Sequence, residues 1–245
     1  MAGRPPDVSD FEVLRAVRTA LDESGTPVVT TQEVADRLPI KHEGVGKRLN
    51  DLAGRNLLFR KEVGVSYAWW LPEAVATVVP TAAGNRVDAG TGTESERAVE
   101  ATLRDLFDVG RERFDLELGA VARVDPAADR FEIEYTSGDH EHFTPGTELP
   151  LSETYCTEPT RDSPACVADP SDRGFDDRTV YADYGLRTYL GTLVKVDDGH
   201  DRTFFFVSTE PRAEPFTDAE CALQELLGER LEHELAGERN GEGVA

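Results

Sequence analysis

The chain predicts an α+β fold in two units. The first is a small unit of three helices and a β-hairpin, and the second is larger, with a central antiparallel sheet flanked by helices. Three observations predict this. Charge is lopsided. The 245 residues carry 26 Lys/Arg and 48 Asp/Glu, a net charge of −22. Residues 1–80 nevertheless hold 10 and 11, whereas residues 81–245 hold 16 and 37. Such asymmetry indicates two units with different partners. Four helix starts share one device, a hydroxyl N-cap with Glu three residues on: Ser9/Glu12, Thr30/Glu33, Thr93/Glu96 and Thr217/Glu220. Finally, residues 130–136 alternate Phe131, Ile133 and Tyr135 with Glu132 and Glu134, the period of a strand with one buried face.

In the first unit a helix is expected over 10–23, with Phe11, Leu14 and Leu21 inward and a stop near Gly25. A short helix over 31–38 ends before Pro39. A third, over 43–55, sets Val45, Leu49 and Leu52 on one stripe and Lys47, Arg48 and Arg55 on the other side. Residues 57–63 and 65–71 read as strands around Gly64, a hairpin. Helix, helix, turn, helix and hairpin is the winged helix-turn-helix order, and domain 1–79 is assigned to it. The end YAWWLPE (67–73) resembles the second wing strand of haloarchaeal winged-helix modules. Trp69 and Trp70 are adjacent, so on a strand they point to opposite faces.

Residues 80–93 are rich in Gly, Thr and Ala without periodicity and read as a linker. The second unit, 94–237, opens with a helix over 94–110. Strands follow over 118–124 and 130–136, then an irregular stretch over 137–175 with a strand-like piece at 165–168. A short helix over 176–184, a strand pair over 189–196 and 202–209, and a helix over 218–236 complete it. Residues 238–245 read as a disordered tail.

The stretches LPLSETYC (149–156), YGLRTYLGTLVKVDDG (184–199) and FFFVSTEPRAEPFTDAE (204–220) resemble the GAF domains of haloarchaeal regulators such as bacterio-opsin activator-like proteins. Helix, antiparallel strands, variable middle, strand pair and final helix is the order of such a domain. The resemblance implies a sensory or dimerising unit and a pocket between sheet and variable middle, with Tyr155, Cys156, Phe175, Tyr181, Tyr184 and Tyr189 as its lining. Here Arg202–Thr203 stands where these domains usually carry glycine. Within these residues nothing resembles a kinase domain, a receiver domain or the C-terminal helix-turn-helix of bacterio-opsin activators; the reader is expected at the N-terminus instead.

The segment from Lys41 to Lys61 holds six basic residues and two acidic ones, Glu43 and Asp51. A local reversal of sign fits a phosphate backbone. The candidate DNA contacts are Lys41, His42, Lys47, Arg48, Asn50 and Arg55 on or beside the third helix, and Arg60 and Lys61 on the hairpin. The uncharged tip, Val63-Gly64-Val65, argues against insertion of the wing into a minor groove. The dense carboxylates with only four lysines suit either a soluble acidic protein or, the reading preferred here, a protein of molar-salt cytoplasm. At ~1 M salt the screening length is about 3 Å, so charge alone would bind DNA weakly there.

His140 and His142 form a metal-compatible pair without a third ligand nearby, so no metal is expected. No Ser-His-Asp order, phosphate loop or CxxC is present, and the cysteine that methionine sulfoxide reductases of GAF type use is missing around 183–186; no enzyme and no identifiable cofactor is expected. Three cysteines are too few and too odd for a disulfide framework, so reduced thiols, with Cys221 in packing, are expected in a cytoplasmic protein. The start is polar, and no apolar run approaches a membrane span. Together these imply a DNA-binding transcriptional regulator on double-stranded DNA. Its GAF unit would sense a small ligand and dimerise through the 94–110 and 218–236 helices. The alternative is a signalling adaptor whose winged helix contacts protein while the GAF unit senses a ligand or redox state.

Overall fold

The computed structural model of the chain describes residues 8–80, 94–138, 140–159, 163–196 and 200–242, with the side chains of 94–96 and 237–242 outside the description. Two compact units emerge, 1–86 and 87–245. The expected linker overlaps their boundary, and its residues 81–93 lie outside the described ones.

The first unit runs α1 (Asp10–Ser24), β1 (Val29–Thr30), α2 (Thr31–Ala35), α3 (His42–Gly54), β2 (Phe59–Val63), β3 (Ser66–Trp70) and α4 (Glu73–Val78). Reciprocal capping boxes open α1 at Ser9/Glu12 and α2 at Thr30/Glu33. Each satisfies two backbone N–H groups that a helix start leaves without partners. Phe11, Leu14 and Val17 of α1 share the buried core with Val34 of α2 and with Val45, Leu49 and Leu52 of α3. The three-stranded antiparallel sheet has order β1-β3-β2. Trp69 is fully buried, and its Nε1–H donates to Thr31 Oγ1 at 3.0 Å. Trp70 sits on the other face, its ring 5.8 Å from that of Phe59. The two residues of β1 are too few to show periodicity, which is why the sequence did not announce them.

The second unit runs α5 (Glu94–Phe114), β4 (Leu118–Asp125), β5 (Arg130–Thr136), β6 (Glu148–Pro150), β7 (Ala165–Val167), α6 (Thr179–Ala182), β8 (Thr188–Val194), β9 (Asp201–Ser208) and α7 (Asp218–Glu242). All sheet pairings are antiparallel, in the order β6-β5-β4-β9-β8-β7. Helices α5 and α7 pack on each other and cover one face. There Phe107 and Phe114 of α5 meet Phe204 and Phe206 of β9, with ring centroids 5.6 and 5.3 Å apart. The approach is close: a Cβ on Gly110 would lie 2.0 Å from the Phe206 ring, so any side chain there would push α5 off the sheet. The other face carries Phe131, Ile133, Tyr189 and Phe205 beneath the variable middle.

Several expectations change. Helix α7 continues to Glu242, beyond 236, because no Pro interrupts it; the expected tail overlaps this helix, and only 243–245 lie outside the described residues. The Thr217/Glu220 box forms, with Thr217 N–H to the Glu220 carboxylate at 2.8 Å; Thr93 lies outside the described residues. Arg202 is a strand residue, nearly buried, whose Nε donates to Glu134 Oε2 at 2.8 Å. A bulge where β4 passes from Val121 to Ala122 leaves Glu134 as the extra residue of β5, and Arg123 Nε also reaches it at 3.0 Å. The expectation of reduced thiols fails for two cysteines. Cys166 on β7 and Cys221 in the first turn of α7 form a disulfide, with Cα atoms 6.3 Å apart. They are 55 residues apart in sequence, and only the fold brings the edge strand beside the helix start.

Candidate functional site

In the first unit Val45, Leu49 and Leu52 turn inward, and that fixes the opposite face of α3. Lys47 and Asn50 are exposed there, and Lys41 and His42 are exposed at the helix start. Lys41 is the N-cap and makes no side-chain capping bond, so the first-turn N–H groups have no side-chain partner of the kind that closes α1 and α2. The Asn50 amide donates to the Gly46 carbonyl at 2.7 Å. Arg48 and Arg55 differ from the expectation. Both turn toward Asp10 in the first turn of α1, Arg48 at 3.9 Å and Arg55 in direct hydrogen bond. They lie on the edge of the stripe that faces α1, so a carboxylate engages them. On β2 every residue is exposed. Arg60 lies 4.9 Å from the Tyr67 ring centroid.

The six residues expected to line a pocket in the second unit do come together, yet they are packed as core. Tyr155 is 2% exposed and Tyr189 1%. Cys156 is buried with them, and Phe175, Tyr181 and Tyr184 pack against the same cluster from its rim. The Tyr155 hydroxyl donates to the Leu186 carbonyl at 3.0 Å. Tyr189 Oη lies 3.6 Å from Cys156 Sγ. Arg178 covers the Phe175 ring at 3.7 Å and Arg187 the Tyr181 ring at 3.8 Å. Tyr184 stacks on His142 with centroids 4.4 Å apart. Burial pushes the Cys156 thiol up to about 11 and the two buried tyrosines far above their ordinary range. A thiol so placed is not a nucleophile at neutral pH. Sequence reasoning missed the aromatic–arginine stacks, since residues such as Arg178 and Phe175 meet only once the loop is folded.

The histidine pair is occupied with its own loop. The His142 backbone N–H donates to His140 Nδ1 at 3.2 Å, and desolvation first, then His142, lowers the His140 pKa. Among the described residues no group of three His, Cys, Asp or Glu could hold a metal ion. Among the described residues, open clefts lie away from the Tyr155–Tyr189 cluster. One of about 420 Å³ is lined by Asp115, Glu117, Ser208, Arg212 and Glu214, and one of about 290 Å³ by Leu103, Phe107 and Tyr135 among others. In the first cleft Glu117 is spent on the Thr209 amide and hydroxyl, and Arg212 on the Phe114 carbonyl and Glu220. Among the described residues no helix is long and apolar enough to cross a membrane.

No protein-family model matches the chain, and no curated protein matches it. Solved structures similar to it include two GAF domains and a methionine sulfoxide reductase. The GAF domain of a phosphoenolpyruvate-protein phosphotransferase from Coxiella burnetii is 17% identical, with a TM-score of 0.46, covering 60% of this chain and 87% of that one. The phycoerythrobilin-bound GAF domain of a cyanobacterial phytochrome is 12% identical, with a TM-score of 0.46, covering 61% and 89%. Free methionine-R-sulfoxide reductase from Neisseria meningitidis, in complex with its substrate, is 12% identical, with a TM-score of 0.43, covering 64% and 99%. Bilin binding and sulfoxide reduction are properties of those proteins.

Proposed function

We propose that this chain is a DNA-binding transcriptional regulator. In this reading the first unit is a winged helix that reads double-stranded DNA through α3, and the second is a GAF-like sensory unit that modulates the binding. One observation carries it: a helix of 13 residues anchored by Val45, Leu49 and Leu52, with Lys47 and Asn50 exposed on its outer side and Lys41 and His42 exposed at its start. An α-helix fits the major groove, and Lys and Asn reach base edges and phosphates there. The Asp10 pairs favour a different role for Arg48 and Arg55, that of holding α3 against α1. The apolar, exposed hairpin tip favours a protein partner for the hairpin.

Fluorescence anisotropy with genomic duplex fragments in molar KCl tests the reading. Lys47→Ala should weaken specific binding at least about tenfold, the worth of one good base contact, and nonspecific binding less. Arg48→Ala should act mainly on stability. No binding to any duplex, or an equal loss on all sequences, would count against this assignment.

A further inference from the structure

Strand β2 is an edge. Among the described residues the sheet order β1-β3-β2 leaves one side of it unpaired, and the opposite edge, β1, is only two residues long. All five β2 residues are exposed, including Phe59 at 44% and Val63 at 58%, and Val65 at the turn is fully exposed. An exposed edge with apolar side chains is a template for another strand. We propose that β2 pairs antiparallel with β2 of a second copy of this chain, about a twofold axis at Lys61.

The register follows from the hairpin. Val63 pairs with Ser66 across the two-residue turn of Gly64 and Val65, and Gly64 takes φ +64° there. Val63, Lys61 and Phe59 therefore direct their N–H and C=O groups to β3, and Arg60 and Glu62 direct theirs outward. Only registers that bring these outward groups together form hydrogen bonds. Setting Arg60 opposite Arg60, or Glu62 opposite Glu62, opposes like charges. Setting Arg60 opposite Glu62 of the second copy makes two opposite-charge pairs and, on the other face, two Phe59–Val63 contacts. The single like-charge contact is Lys61 with its copy on the axis, where long side chains splay into solvent. This interface is isologous, as a closed dimer requires. It needs no DNA, so it stands apart from the reading of α3, and it joins two copies of the first unit edge to edge.

Sedimentation equilibrium of the full chain without DNA tests it. The native chain should dimerise. Arg60→Glu and Glu62→Arg alone should each weaken the dimer about tenfold or more, because each acts twice across the axis. The double swap Arg60→Glu/Glu62→Arg should restore it. Amide exchange supplies a second readout that needs no variant: the Arg60 and Glu62 N–H groups should gain protection as the chain concentration rises. A chain that stays monomeric at millimolar concentration overturns the proposal. So does a dimer indifferent to both single variants, which would place the interface elsewhere, or a double swap that fails to restore it.

Discussion

Cys156 shows how a single residue changes meaning between sequence and structure. In the sequence it ends LPLSETYC, a stretch that resembles GAF domains, and is expected to line a ligand pocket. In the fold its backbone N–H meets Thr154 Oγ1 at 3.1 Å and its sulfur lies against the Tyr189 hydroxyl, all of it buried. Burial destabilises the thiolate, and a thiol pushed up to about 11 ionises in only about one molecule in a thousand at pH ~8. Native protein treated with iodoacetamide should therefore leave Cys156 unmodified by mass spectrometry, while denatured and reduced protein takes it up at once. Rapid native labelling would show that the thiol is open to solvent and not held in the core. Lys47 and Arg48 make the complementary point. They are sequence neighbours with the same charge, but a helix rotates each residue by about a quarter turn relative to the last, and that angle separates an exposed cation from one paired with Asp10.

At the scale of elements, the caps were legible because capping is local chemistry. Thr30 and Glu33 close the start of α2, the Glu33 carboxylate accepting from Thr30 N–H at 2.7 Å. That backbone bond is the first cause holding the Glu33 pKa below its ordinary value, with the Thr30 hydroxyl second. A carboxylate whose folded pKa is depressed stabilises the fold above its unfolded pKa and loses that contribution as pH falls through the folded value. Thr30→Ala should cost about 1 kcal/mol. Glu33→Gln should lower the urea midpoint at neutral pH, and the gap to the native chain should close on acidification. A gap independent of pH would show that the charge of Glu33 is not what stabilises α2. The strands were legible where they alternate, as in β5, or form a short apolar piece, as in β7, and illegible in β1 and β6, two and three residues long and without either pattern. Such strands exist only because a longer neighbour offers them a ladder.

For the whole molecule, the cysteines divide the two units. All three lie in the second, and the Cys166–Cys221 bond closes a loop of 55 residues between an edge strand and the closing helix. Constraining a loop of that length in the unfolded chain is worth up to about 4 kcal/mol. Calorimetry should show two unfolding transitions, one per unit. Adding a dithiol reductant should lower the transition of the second unit by roughly 10 °C and leave the first in place. A second transition that does not move would mean that packing of α7, not the bond, holds that edge.

Composition, capping boxes and hydrophobic period determined the order of the longer helices and strands and the apolar stripe that each buries. All of these arise from contacts between residues a few positions apart. Tertiary structure alone decided that two arginines of α3 belong to Asp10, that six aromatic and sulfur side chains fill a core, and that two distant cysteines meet. Each of those outcomes depends on where remote segments come to rest, and a local pattern carries no record of that.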